Sequence, residues 1–230
     1  MAAPTWQAGG GLTAVASGTT RTPTLPAHQA GDILICQAIY NGASTLSISG
    51  GWQAIFVTNA AGISTGYWWL RATSGAETNP TVTSSATASG TAVLCAQTFN
   101  IRGCIGSGTP FGPQDESAVT TGTTVSTQAL TTVNNDTLVV SFVSVDDDVA
   151  SSSYPPSGWT DQNDITTATG GGAHLIAISK TQAVAGSVSA ASFGIGSATW
   201  KSITAAFIPP SGGDAPTLLR PRGLNPLLVR

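Results

Sequence analysis

The chain has 230 residues, of which 41% are hydrophobic and only 8% are charged, and its formal net charge is −3. Intrinsic disorder requires low hydrophobicity together with high net charge, so this composition excludes a largely disordered chain. The acidic balance also lacks the basic surface of nucleic-acid-binding proteins, and no segment reaches the roughly 18 apolar residues of a membrane-spanning helix, so we expect neither a nucleic-acid partner nor membrane association.

Short strand-like segments separated by glycine- and serine-rich turns recur along the sequence. Turn signals return about every 8–12 residues, as in β-sandwiches and barrels, and no segment has the i, i+3, i+4, i+7 spacing of a helix. The sequence therefore predicts an all-β protein, and its length fits one domain. The first cation is Arg21, so the basic start of a signal peptide is missing and no export signal is predicted.

A first unit is predicted over residues 20–101. It opens with an acid-led strand, GDILICQAIY, at Gly31–Tyr40, and it continues through a Ser/Gly turn that ends at Trp52. An apolar strand, YWWLRAT, then carries Arg71 near its end, and an alternating strand, TAVLCAQTF, closes the unit at Phe99. These segments have the β-branched and aromatic residues that are typical of strands.

The same order of segments returns after a Gly/Pro-rich connector at residues 102–121. The second unit, residues 123–208, opens with NDTLVVSFVS, turns at Trp159, carries HLIAISK with Lys180, and closes with TWKSITAAF at Phe207. Self-similarity at this scale indicates an internal duplication. The aligned pairs are Asp32/Asp136, Leu34/Leu138, Cys36/Val140, Ala38/Phe142, Trp52/Trp159, Cys95/Ile203 and Phe99/Phe207.

The duplicated pattern predicts a two-sheet antiparallel β-sandwich with jelly-roll-like connections, formed as one domain by residues 1–210. Neither unit alone has enough strands to cover both faces of its apolar segments, so we expect the two units to share one core. Residues that repeat at period two and recur between the units should face inward. These are Leu34, Ala38, Val93, Cys95, Phe99, Leu138, Val140, Phe142, Ile203 and Phe207.

The three cysteines have neither the even number of a disulfide framework nor the spacing of a metal site. Cys36 and Cys95 align with Val140 and Ile203, so we interpret them as small core hydrophobes, with a Cys36–Cys95 disulfide as the alternative. Cys104 falls in the Gly-rich connector, where we expect an exposed thiol. No metal and no cofactor are predicted.

Residues 211–230 differ in composition from everything before them. Ser211–Asp214 has the composition of a hinge, and the sixteen residues that follow contain three prolines, three arginines and no acid. An extended apolar and basic arm on an acidic body is suited to fill pockets on another subunit, whereas a free terminus is the alternative. We expect docking through this arm, with contacts from Leu218, Leu219, Arg220, Arg222, Leu224, Leu227, Leu228 and Arg230.

Catalytic and metal-binding patterns are weak in this sequence. Gly62–Gly66 matches the G-x-S-x-G pattern of a nucleophile elbow around Ser64, but a strand rather than a helix follows it. The three acids at 146–148 could supply oxygen ligands for Ca²⁺, and a solvated acidic loop is the other interpretation. Asp115 and Glu116 could work as a carboxylate pair only within a shaped pocket. We therefore predict no enzymatic activity.

Tyr67, Trp68 and Trp69 form the one aromatic cluster that is suited to a ligand. Strand alternation places Trp68 on the face opposite the other two, so one face should belong to the core while the other could be exposed. An exposed aromatic platform would suit a sugar ligand, and cover by a neighbouring subunit is the alternative.

Four phrases in a fixed order resemble a class of duplicated β-sandwich structural proteins of tailed bacteriophages and prophages. The phrases are LPAHQAGDILI, SGGWQAI, GYWWLRATSGAETNPTV and AVLCAQTFNIRGCIGSGTPFG. They are similar to P-A-G-D-L-L, S-G-W, W-K-R-A and F-R-G-V-D-x-x-x-P-F in that class. The likeness covers residues 20–208, and it departs from the pattern at Cys104 and Ile105, where the class has Val-Asp.

The resemblance implies a non-enzymatic structural protein of the virion, assembled in the host bacterial cytoplasm. Such a protein would decorate or brace the particle, either as a capsid decoration (cement) protein or as an accessory tail protein. Its partners would be major capsid or tail subunits, together with further copies of itself in a homo-oligomer. The alternative is a receptor- or carbohydrate-binding module carried on the tail.

Overall fold

Eighteen β-strands and no helix make up the part of the chain that this computed structural model describes, residues 2–60 and 62–210. The all-β class predicted from the sequence is therefore confirmed. The strands are β1 (Thr5–Gly9), β2 (Thr13–Val15), β3 (Gly18–Arg21), β4 (Ile33–Asn41), β5 (Leu46–Ile48), β6 (Gln53–Asn59), β7 (Ile63–Arg71), β8 (Val82–Ala88), β9 (Leu94–Arg102), β10 (Phe111–Glu116), β11 (Thr120–Ser126), β12 (Leu130–Thr131), β13 (Thr137–Val145), β14 (Ser151–Ser152), β15 (Thr160–Thr167), β16 (Ala173–Gln182), β17 (Ser187–Val188) and β18 (Ser192–Phe207).

The strands form four sheets, and every strand pair is antiparallel. The first main sheet has the order β1-β9-β4-β7-β6, with β2 also paired to β9. The second main sheet has the order β10-β18-β13-β16-β15, with β11 and β14 also paired to β18. Two small sheets complete the fold: a first cover sheet, β3-β8-β5, and a second cover sheet, β12-β17. The expectation of two sheets is thus corrected to four.

The two main sheets pack against each other through a central apolar layer. Ile35 and Phe99 of the first sheet meet Phe142 and Phe207 of the second in one buried cluster. The rings of Phe99 and Phe142 are stacked with centroids 5.8 Å apart, which is a favourable aromatic geometry. Trp6 packs on the same cluster from β1, with its ring 4.8 Å from that of Phe99. One core therefore joins both halves of the chain.

The outer face of each main sheet is also buried. In the first half, Ala38 and Trp68 pack with Val82 of the first cover sheet. In the second half, Val143 packs in a cluster that contains Val188 of the second cover sheet. Strands that are buried on both faces are nearly continuous apolar runs, as β4 and β13 are. The cover sheets bury the apolar side chains that such strands present on the outer faces of the main sheets.

All ten residues predicted for the core are buried, so that prediction is confirmed. They do not share one face, however. Ala38 lies in the contact with the first cover sheet, whereas its aligned counterpart Phe142 lies in the central layer. Cys36 and Val140 differ in the same way. The residues that the sequence alignment pairs in the opening strands therefore lie in different layers, and neighbouring residues of a strand point to opposite faces.

The two main sheets have the same strand order. Each strand of the first sheet, β1-β9-β4-β7-β6, matches the strand numbered nine higher in the second sheet, β10-β18-β13-β16-β15. A bulge in β6 between Ala54 and Phe56 has a counterpart in β15 between Asp161 and Asn163. The first strands, β1 and β10, are also both bulged. Strand β10 lies within residues 102–121, so this segment is not merely the connector that we expected but contributes to the second main sheet.

Polar side chains bridge the two main sheets. Gln37 Nε2 donates to Val143 O at 2.8 Å, and the hydroxyls of Tyr67 and Ser144 lie 3.0 Å apart. Asn41 Nδ2 donates to the carbonyl oxygens of Asp146 and Gly172 at 2.8 and 2.6 Å. Directional hydrogen bonds of this kind fix the position of one sheet relative to the other, which an apolar layer alone does not do.

All three cysteines are free and buried. Cys36 belongs to the cluster beneath the first cover sheet and Cys95 to a different cluster, so the interpretation as core residues is confirmed and a Cys36–Cys95 disulfide is absent. Cys104 was expected to be exposed, and this is wrong: it is 6% exposed and belongs to the central layer. Burial raises the pKa of its thiol to about 12, so it is an unreactive core residue.

Candidate functional site

The arm residues Leu218, Leu219, Arg220, Arg222, Leu224, Leu227, Leu228 and Arg230 lie outside the described residues. The candidate docking site within the described residues lies at the end of the body, where the chain continues into the arm. There a groove of about 310 Å³, here called the exit groove, is lined by Ile105, Val133, Asn134, Asn135, Ile208, Pro209 and Pro210.

Backbone hydrogen bonds hold the first wall of the exit groove. Strand β18 ends at Phe207, and Ile208 N donates to Pro110 O at 2.9 Å. Ile105 N donates to Ile208 O, also at 2.9 Å. The chain is therefore fixed to the body up to Ile208, and the two prolines that follow restrict the backbone further because each ring locks φ.

The second wall is the turn between β12 and β13. Val133 lies in this turn and is 70% exposed. Asn135 Oδ1 accepts a hydrogen bond from Ala185 N at 2.8 Å, which ties the turn to the loop between β16 and β17. Val184 in that loop is 67% exposed, and within the described residues these two valines are the large hydrophobic side chains that stand exposed. Val133 lines the exit groove, and the hydrogen bond of Asn135 places the loop that carries Val184 beside the same turn.

The aromatic cluster predicted as a ligand or subunit contact is buried. Tyr67 and Trp69 belong to the central layer, and Trp68 belongs to the contact with the first cover sheet. Strand alternation was predicted correctly, but both faces of β7 are covered within the chain. These residues therefore do not form an exposed aromatic platform.

A cleft at the edge of the aromatic cluster retains some polar character. It has a volume of about 410 Å³ and is lined by Gln53, Trp69, Leu70, Arg71, Gly108 and Thr109. Arg71 Nη2 donates to Gly108 O at 3.1 Å, so the guanidinium is held against one wall. Amide, hydroxyl and guanidinium groups beside an indole edge are able to bind sugar hydroxyls.

Two side chains considered for catalysis or metal binding, those of Ser64 and Asp146, make hydrogen bonds within the fold. Ser64 is buried in β7, where its hydroxyl donates to Gly42 O and accepts from Ser44 N, both at 2.8 Å. Burial raises the pKa of Asp146, although this carboxylate accepts a hydrogen bond from Thr199 N at 2.7 Å. No group of three or more His, Cys, Asp and Glu side chains suited to a metal occurs in residues 2–60 and 62–210.

The sequence did not indicate the ion pair between the buried Lys201 and the partly exposed Glu116. Lys201 Nζ lies 2.7 Å from Glu116 Oε2, donates to Ser117 O at 2.7 Å and sits 4.8 Å from the centre of the Phe56 ring. These partners satisfy the ammonium group, so the pair joins β10 to β18 rather than presenting a reactive lysine. A lysine within an apolar strand gives no sign of its partner in the sequence.

His174, the second histidine of the chain, is fully buried in β16, and its Nε2 atom makes a hydrogen bond with Asp164 Oδ1 of β15. Asp164 Oδ1 also accepts from Ser151 Oγ at 3.3 Å. The pair lies between neighbouring strands of the second main sheet and borders none of the clefts described above. Its geometry is that of a cross-strand contact.

Comparisons with known proteins return no match: no family model, no curated protein and no solved structure matches this chain. Within the described residues, no helix has the length and apolar character needed to cross a membrane.

Proposed function

We propose that the chain is a non-enzymatic structural protein of a tailed bacteriophage virion, which decorates or braces the particle and docks through residues 215–230. The observation that carries this proposal is the position of the exit groove. The last strand ends at Phe207 beside an exposed apolar groove, and the leucine-rich arm begins a few residues later. A body that holds the root of such an arm rigidly can present the arm to a neighbouring subunit.

The ordered phrases of the sequence support a role in the virion, as capsid decoration (cement) protein or accessory tail protein. The partners proposed are major capsid or tail subunits together with further copies of this chain, on a particle assembled in the host bacterial cytoplasm. The non-enzymatic role is supported by the contacts of the side chains that could otherwise act in catalysis. Ser64, His174 and Lys201 each make contacts that hold strands together.

We also propose that residues 5–102 and 111–207 arose by duplication, and the jelly-roll-like description of the connections belongs to this proposal. The shared strand order and the shared bulges support it. Counted from the bulges, Gln53 corresponds to Thr160, which agrees with the sequence alignment of Trp52 with Trp159. Followed through the strand ladders, Ile35 then corresponds to Val140, and Ile101 corresponds to Phe207.

Truncation after Gly213 tests the proposed function. We expect the truncated chain to fold normally, because the central layer, the cover sheets and the exit groove are built from residues before 211. Quantitative mass spectrometry of purified particles should then show loss of the protein from the virion. A full-length variant with residues 215–230 replaced by a Gly/Ser segment of equal length controls for chain length. Native occupancy of the truncated chain would contradict the proposal.

A carbohydrate-binding module carried on the tail is the second candidate, and the cleft at Gln53, Trp69, Arg71 and Thr109 favours it. The cleft offers polar groups, but Trp69 exposes only 6% of its surface, so little aromatic face is available for a sugar ring. Binding of the isolated full chain to glycans of the host surface, abolished by Gln53→Ala, would favour this candidate over the structural role.

A further inference from the structure

We propose that the exit groove of one copy receives the C-terminal arm of a second copy, so that the protein associates by exchange of arms. This inference rests on the proposed docking role of the arm and names the docking partner. The receiving surface consists of the exit groove and the exposed side chains of Val133 and Val184.

The groove has the chemistry that an apolar arm needs. Ile105, Ile208 and Pro209 contribute apolar walls, and Val133 stands exposed at the rim. Asn134 and Asn135 add polar groups at the same rim, which suit the backbone of an extended segment. The exposed valines are joined by hydrogen-bonded loops, so the patch is a preformed surface rather than two separate side chains.

The composition and length of residues 215–230 identify the occupant. Residues 215–230 contain five leucines and one valine, which gain free energy when they leave water. Sixteen residues in the extended conformation that prolines favour would span about 50 Å. The apolar residues of the distal half, Leu224, Leu227, Leu228 and Val229, would then lie far from the groove at the root of their own arm.

A second copy supplies an apolar acceptor at that distance. Its groove is identical, and two copies that exchange arms form a self-complementary pair in which each groove is filled. Pro209 and Pro210 favour exchange over a return of the arm to its own groove, because both line that groove and their fixed φ angles limit how sharply the chain can turn back at its own root.

Sedimentation equilibrium of the full-length protein over a range of micromolar concentrations tests this proposal. We expect reversible dimers or larger assemblies. Val133→Asp should raise the dissociation constant at least about tenfold, because it places a carboxylate on the apolar rim. Leu227→Asp/Leu228→Asp should weaken association in the same way from the arm side. Thr123→Asp, which adds the same charge at an exposed position of β11, is the matched control and should leave association unchanged.

A full-length protein that stays monomeric at every concentration would overturn the exchange of arms, as would association that Val133→Asp leaves unaffected. These outcomes are separate from the test of the proposed function. A monomer whose truncated form is still lost from particles refutes the exchange alone and leaves the docking role intact. A truncated form that enters particles with native occupancy refutes the docking role, whatever the state of the protein in solution.

Discussion

At the scale of single residues, the buried carboxylate of Asp32 is held by hydrogen bonds from three other residues. It is 1% exposed and accepts hydrogen bonds from Arg102 Nε and Nη2 at 2.8 Å, from Asn100 Nδ2 at 2.9 Å and from Gln29 N at 3.0 Å. Burial is the largest influence and raises the pKa of Asp32, but these donors together outweigh it and lower the pKa below its usual range. The carboxylate thus ties the segment before β4 to the end of β9.

Arg102→Ala should lower the free energy of unfolding at neutral pH, because the buried carboxylate of Asp32 loses two hydrogen-bond donors. The pKa of Asp32 is depressed in the folded state, so its contribution is complete above the unfolded value of about 3.9 and is lost as pH falls through the folded value. The difference between wild type and variant should therefore shrink below about pH 4, as measured by urea unfolding at several pH values.

Arg71→Ala is the matched control for this prediction. Arg71 donates one hydrogen bond to the exposed carbonyl of Gly108, so its removal should cost less and should show no comparable dependence on pH. An equal cost for the two variants, or a cost of Arg102→Ala that does not change with pH, would contradict the role assigned to Asp32.

At the scale of elements, the positions of β4 and β13 were predictable from the sequence, but the faces to which their side chains point were not. Both strands were predicted at the right place, because their apolar runs are bounded by turn residues. Their facing was not predictable. A strand that is apolar on both faces has no alternation to distinguish one face from the other, so Ala38 was aligned with Phe142 although the two lie in different layers.

The cover sheets and the exit groove were also beyond sequence analysis. The strands β5 and β12 have only three and two residues, too few for a recognisable pattern. Val133 and Val184 are single hydrophobic residues in separate turns, and only the folded chain brings their loops together. The leucine-rich arm was recognisable from composition, whereas the groove beside its root depends on tertiary structure.

Strand β7 carries an element-scale prediction at Gly66. A Cβ atom there would overlap the indole ring of Trp68, which is buried beneath the first cover sheet and cannot move aside. Gly66→Ala should therefore destabilise the protein by about 1–3 kcal/mol, as overpacking does in a close-packed core. Gly122→Ala in β11 is the control, since no atom lies within 4 Å of its added Cβ. Chemical denaturation that ranks the two variants equally would contradict this packing.

At the scale of the whole molecule, the two halves share a central layer that is apolar along most of its length and polar where Gln37 and Tyr67 meet Val143 and Ser144. The apolar part supplies most of the burial, and the polar part selects one relative position of the sheets. The result is a body with a fixed end, at which Ile208 is hydrogen-bonded and the arm begins. This fixed end suits a protein whose proposed task is to hold a neighbour in place.

A reconstruction of the purified virion at side-chain resolution tests whether the chain is part of the particle and docks through its arm. We expect density for the all-β body on the surface of the head or tail, with residues 215–230 lying against a neighbouring subunit and, where copies adjoin, in the exit groove at Val133 and Ile208. Particles that lack the chain, or a body whose contacts to the particle are made entirely by residues before 211, would contradict it.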